Sequence, residues 1–228
     1  MTKRNLVYAL LLVLGSCASG RKIIDKPIVF DETRKIMTID YLSDRYGLTA
    51  NSPTIVPKMI VLHWTVLPTL EATFDAFEKS ILPTWRPELE NASALNVSSQ
   101  FLVDRDGKIY RLLPETTMAR HVIGLNHCAI GIENVGGTKE LPLTEAQLKS
   151  NIWLVKYLTR KYDIDYLIGH YEYTNFEGHP LWLEKDENYR TEKTDPGEDF
   201  MRKVRNATKN LKFKPVPQKS PTNELQIF

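Results

Sequence analysis

The chain has little with which to build a disulfide framework or a nucleic-acid surface. Only two cysteines, Cys17 and Cys128, occur in 228 residues, so no cross-linked scaffold is available. Thirty Lys and Arg stand against 28 Asp and Glu, a net charge of +2. There is no long basic block and no Arg/Lys stripe interleaved with aromatics, which excludes nucleic acid as an expected partner. The first apolar run, Leu6 to Leu14, is too short to span a bilayer comfortably. No internal repeat is present, and one domain is expected.

What is there reads first as an address. "MTKRNLVYALLLVLGSCASG" has a basic start, an apolar run and then small residues, the pattern of a secretion signal. Its "LGSC" end resembles the lipobox of bacterial lipoproteins, in which the cysteine becomes the lipid-modified first residue. Residues 1–16 are therefore expected as a signal peptide and Cys17 as the lipidation site. Ala18 lacks the aspartate that would resemble an inner-membrane retention signal. The expected location is the cell envelope, lipid-anchored, on the outer membrane facing the periplasm if the cell has one. Cys128 then has no partner in the chain and reads as a small buried thiol before an apolar strand.

The rest, 42% hydrophobic and 25% charged overall, suits one core with a helix-covered sheet. Residues 17–57 read as a linker and extension with a short helix around Met37 to Tyr46, ended by Gly47. "MIVLHWTV" is an apolar, branched run that predicts a buried central strand with His63 toward its end. Leu70, Phe74, Phe77 and Ile81 recur at helical spacing, so Thr69 to Leu82 is predicted helical. Asp106 and Gly107 supply hairpin-turn chemistry between "FLV" and "IYRLL". "AIGIENVGG" is a further strand with Glu133 inside it, and Thr144 with Gln147 forms a capping box for the next helix. "YLIGH" predicts a strand ending in His170, and "GEDFMRKVRNATKNL" a last helix. Residues 212–228 are proline-rich and read as an extended or mobile tail. A hairpin and helix-linked strands together imply an α/β fold, a single domain with a central mixed β-sheet flanked by helices.

Each of the five histidines starts as a weak candidate, since a lone histidine is more often structural. His63 and His170 stand out because both end apolar strands, which puts two imidazoles on rigid elements at one edge of a sheet. Asp195 in "TEKTDPGEDF" would add a hard ligand, presented in one direction because Pro196 restricts the residue before it. Two histidines and a carboxylate with an open position are the pattern of catalytic rather than structural zinc. Glu133 is costly in an apolar strand unless it has a task, and a general base beside water at the metal is such a task.

These residues carry a resemblance. "IVLHWT", "SSQFLVDRDGKIYRLLPE", "NHCAIGIENVGG", "IGHYEY" and "EKTDPG" resemble, in order, the first-histidine strand, hairpin, glutamate strand, second-histidine strand and lysine-plus-ligand loop of the zinc N-acetylmuramoyl-L-alanine amidases. These are the amidases of the phage-lysozyme and peptidoglycan-recognition type. The resemblance runs from about residue 58 to about 205. It implies Zn²⁺ held by His63, His170 and Asp195, Glu133 activating water, and Lys193 stabilising the oxyanion on the substrate carbonyl.

It also implies peptidoglycan and muropeptides as partners and hydrolysis of the muramoyl–L-alanine amide bond. A domain over 58–211 and a monomeric protein are expected. The chain departs from the family at Gln100 and Phe101, where an aromatic or histidine pair is frequent, and at "ARHVIG", which lacks the tryptophan of a "WHAG"-like segment. His121 and Asn126 are taken as substrate-binding candidates. His179, in a long loop between His170 and Asp195, lacks the "K-T-D-P-G" context and reads as a loop residue. Two other readings of the fold are a non-catalytic peptidoglycan-binding module, disfavoured by the complete ligand set, and an endopeptidase acting within the stem peptide.

Overall fold

β2 (Met59–Leu62) is the centre of the molecule because its four residues are apolar and wholly buried. A strand with no solvent face needs a cover on both sides. The structure, a computed structural model describing residues 21–84 and 92–218, supplies both. β2 runs parallel to β5 (Ala129–Asn134) and to β6 (Tyr166–Gly169). β5 runs parallel to β3 (Phe101–Val103), which pairs antiparallel with β4 (Ile109–Arg111). β1 (Ile23–Asp25) joins the outer side of β4, completing a mixed six-stranded sheet of order β1-β4-β3-β5-β2-β6. The hairpin turn falls where Asp106 and Gly107 predict it, with Gly107 at φ +84°.

Alternation along β2 and β5 sorts the two faces. Ile60, Leu62, Ile130 and Ile132 pack on one face against Leu154, Val155 and Leu158 of α3 (Glu145–Lys161) and Met201 and Val204 of α4 (Glu198–Thr208). α3 opens with the expected capping box, Thr144 accepting from the Gln147 amide and Gln147 answering to the Thr144 amide. Met59, Val61, Ala129 and Ile168 face the other way, onto Val122, Leu125, Tyr173 and Phe176. Each such side chain contributes about 1.5–3 kcal/mol on full burial.

The N-terminal segment differs from the expected linker. α1 (Glu32–Tyr46) starts well before Met37, N-capped by Asp31 and closed by Gly47 in the left-handed region. Arg34, 1% exposed, explains the docking. Its Nη2 donates to the carbonyls of Phe77 (2.8 Å), Glu78 (3.1 Å) and Lys79 at the end of α2 (Leu70–Glu78), groups that a helix C-terminus leaves without intrahelical partners. Burial pushes the Arg34 guanidinium down to about 10, so it stays charged at neutral pH. α2 ends at Glu78, short of the predicted Leu82.

The described part of the C-terminal tail also packs: Phe213 and Val216 lie against the two faces, and the Lys214 amide donates to Asp165 O (2.8 Å). The leader, Cys17 and residues 219–228 lie outside the described residues. No helix among the described residues is long and apolar enough to cross a membrane.

Candidate metal centre

Strand register builds the site. Leu62 pairs with Ile132 on one side and Gly169 on the other. The next residue on each strand is His63, Glu133 or His170, and neighbours in parallel register point to the same face. The His63 amide donates to Ile132 O (2.9 Å), carrying the pairing past the end of β2. A base and two imidazoles thus stand in a row where three adjacent strands end.

Asp195 arrives from the loop before α4. Its carbonyl accepts from the Tyr171 amide (3.1 Å), and the Gly197 amide donates back to Thr194 O (2.9 Å). The Asp195–Pro196 peptide is cis. Asp195 Oδ2 lies 3.2 Å from His63 Nδ1 and 3.1 Å from His170 Nδ1, and the two imidazole nitrogens are 3.0 Å apart. All three residues are buried. A tetrahedral zinc with bonds of about 2.0–2.1 Å sets its ligand atoms about 3.3 Å apart, close to this triangle. The donor set also fits zinc chemically, with two nitrogens and one oxygen converging from three residues that line the cleft.

Burial first, and then His170 beside it, push the His63 imidazole down to about 4, so it is neutral and offers a lone pair. Burial alone would raise the Asp195 carboxyl. The adjoining His170 and His63 outweigh that and hold it well below the usual carboxylate range.

With Nδ1 in the triangle, the proton of His63 sits on Nε2, which lies 3.0 Å from His121 Nδ1. His121 must accept there, so its own proton is on Nε2, facing Ala129 O at 3.4 Å. Burial and the nearby His63 keep His121 neutral, its imidazole well below the ordinary histidine value. Gly131 makes room for this ring: a Cβ there would come within 2.8 Å of His121 Cγ. Sequence reasoning took His121 as a substrate-binding candidate; it lines the cleft and is also bonded to the ligand His63. Asn126 is also occupied, its Oδ1 accepting from the amides of His121 (2.9 Å) and Val122 (2.8 Å) and its Nδ2 donating to Tyr46 Oη (2.9 Å).

Glu133 and Lys193 line the same cleft of roughly 290 Å³ as the three ligands. Among the described residues Lys193 makes no ion pair, so the salt bridge to Glu192 or Glu198 that a loop lysine ordinarily forms is absent. The Gln100 side chain is buried and bonded to backbone, accepting from Gly131 N (2.7 Å) and donating to Thr117 O (2.8 Å), and Phe101 is core.

The long loop after His170 is packed rather than loose. It begins with a 3-10 turn, His170–Phe176, ties Glu184 to Arg45 of α1 (2.7 Å), and brings Tyr189 and Thr191 to the cleft wall. His179 is bonded to Tyr166 Oη (3.2 Å) and to the Leu181 amide (3.2 Å), which gives it a structural task. Sequence reasoning missed Trp64, which lines the cleft and lies against Gly137: a Cβ there would come within 2.3 Å of its Cγ. The paired glycines of "NVGG" were the available signal.

A family model described as N-acetylmuramoyl-L-alanine amidase matches residues 50–198. Peptidoglycan recognition protein 3 of Mus musculus is 31% identical over 93 residues, 38% of this chain and 26% of the mouse protein, so the match spans about a quarter of that relative. Among solved structures, the N-acetylmuramoyl-L-alanine amidase LysC from Clostridium intestinale URNW is similar at TM-score 0.50 and 24% identity, over 85% of this chain and 99% of LysC. A selenomethionine derivative of AmpD is similar at TM-score 0.51 and 23% identity, over 81% and 93%. At these identities the structural likeness shows the fold.

Proposed function

The chain belongs to the N-acetylmuramoyl-L-alanine amidase family, and from that premise we propose that it hydrolyses the amide between the lactyl group of N-acetylmuramic acid and the L-alanine of the stem peptide, as a zinc enzyme. The observation that carries this reading is the buried His63–His170–Asp195 triangle beside Glu133 in one cleft.

His63, His170 and Asp195 would hold Zn²⁺, which would supply a Lewis acid for the scissile carbonyl and lower the pKa of a bound water. The chain's own residues do the rest. His121 fixes His63 in the tautomer that leaves Nδ1 free to bind. Glu133 takes the proton of the attacking water at a carboxylate oxygen and delivers it to the departing alanine nitrogen. Lys193, two residues from Asp195, turns its ammonium toward the carbonyl oxygen as negative charge collects there. The buried ligands and the packed loop keep bulk water from screening that charge.

The leader supports an envelope location. A basic start, an apolar run and "LGSC" support lipid on Cys17, with the domain held at a membrane and facing the cell wall. Acyl chains bury CH₂ groups at about 0.8 kcal/mol each, so two or three together hold a protein stably.

Metal analysis tests the reading. The purified protein is expected to carry about one zinc per chain, since three protein ligands define one catalytic site, and His63→Ala or His170→Ala to lose it. Full zinc in His63→Ala would refute the assignment.

A further inference from the structure

Val66, on the loop that leaves β2 three residues beyond His63, is a β-branched residue at φ +54°, a left-handed conformation rare for such side chains and costly to hold. It is also 57% exposed, so burial does not offset that cost. The backbone around it is pinned. Thr65 N donates to Asn134 O (3.0 Å), Val66 N to Gly136 O (2.9 Å), and Gly136 N returns to Leu67 O (2.9 Å). Glycine or asparagine would meet that geometry more cheaply. Strain kept at an over-determined position, at a residue lining the same cleft as Glu133 and Lys193, implies that the side chain itself is used.

We propose that Val66 is an apolar lip of the cleft that grips a methyl group next to the scissile amide and so sets substrate preference. The inference rests on the amidase reading, in which the bond is flanked by two such methyls, the lactyl on the acyl side and the alanyl on the amine side. A small branched side chain at the rim of the cleft that holds the three ligands suits either and gives nothing to a substrate that lacks it.

The test compares wild type, Val66→Gly and Val66→Ala on a muramoyl-L-alanyl peptide and on two analogues, one with glycine for alanine and one with a glycolyl for the lactyl group. Loss of one buried methyl contact lowers kcat/KM by about three- to tenfold. Wild type is expected to discriminate against one analogue by that factor, which identifies the methyl. In Val66→Gly the ratio falls toward 1, chiefly through KM, and Val66→Ala lies between. Val66→Gly is also expected to melt about 2 °C or more higher, because the left-handed strain is relieved. An unchanged ratio in Val66→Gly overturns the inference, as does a lowered Tm, which would make Val66 a structural residue. Wild type that hydrolyses none of the three substrates would instead refute the amidase reading, so the two failures are distinguishable.

Discussion

His63 Nε2 and His121 Nδ1 lie 3.0 Å apart, and this one hydrogen bond decides which nitrogen of His63 faces the metal. Partners of this kind typically change metal affinity by about 10–100-fold. His121→Ala is therefore expected to bind zinc more weakly by that factor, measured by competition with a chelator, and His121→Gln, whose amide oxygen accepts, to recover part of it. Gly131→Ala should act in the same direction, since its Cβ would meet His121 Cγ at 2.8 Å and displace the ring. Unchanged zinc affinity in His121→Ala would show that this residue only lines the cleft and does not position the ligand.

Glu133 and Lys193 are expected to separate catalysis from metal binding. Glu133→Gln should keep zinc and lose about 10²–10⁴ in kcat, the usual share of a general base. Lys193→Ala should keep zinc and lose about 10²–10³, the cost of one oxyanion donor. Rate measurements on muropeptide with parallel zinc content check both, and a wild-type kcat in either variant removes that residue from the mechanism.

Glu115 makes stability depend on pH. Its carboxylate is buried, and accepts from Lys161, from Tyr162 Oη (2.9 Å) and from Tyr157 Oη (3.3 Å). Burial alone would raise its pKa, but the bonds from Lys161 and Tyr162 outweigh that and lower it. The folded state therefore binds this proton less readily than the unfolded chain. The stabilisation is complete above the ordinary glutamate value of about 4.3 and is lost as pH falls through the lowered folded value. Melting curves across that window should show wild type losing its advantage over Glu115→Gln as the pH drops, and parallel curves would contradict this.

Where local pattern decides the structure, the sequence was readable. Met59–Leu62 read as a buried central strand, Asp106 and Gly107 as a hairpin turn, and Thr144 with Gln147 as the start of a helix, and each is found there. His63 and His170 stood out by their places at strand ends, whereas the Asp195 loop alone reads as a solvated turn before a helix and became a ligand through the two histidines and the "K-T-D-P-G" resemblance.

What stayed hidden depends on contacts between distant segments. β1 is three residues long, with no periodicity to read, and exists because β4 offers an edge. α1 extends back to Glu32 because Arg34 finds the carbonyls at the end of α2, more than forty positions away. The link from His121 to His63 spans 58 positions, and the glycine that makes it possible sits inside an otherwise apolar strand. Val66 gives no sequence signal, since its significance is a backbone angle.

Mass spectrometry of the products from digested cell-wall sacculi tests the central claim most directly. The zinc-loaded protein is expected to release intact stem peptides with a new amino terminus on L-alanine and to leave glycan bearing the free lactyl carboxylate. Removal of zinc by a chelator should abolish both products. Shortened peptides still attached to muramic acid would show that the bond cut lies within the stem, and would contradict the account.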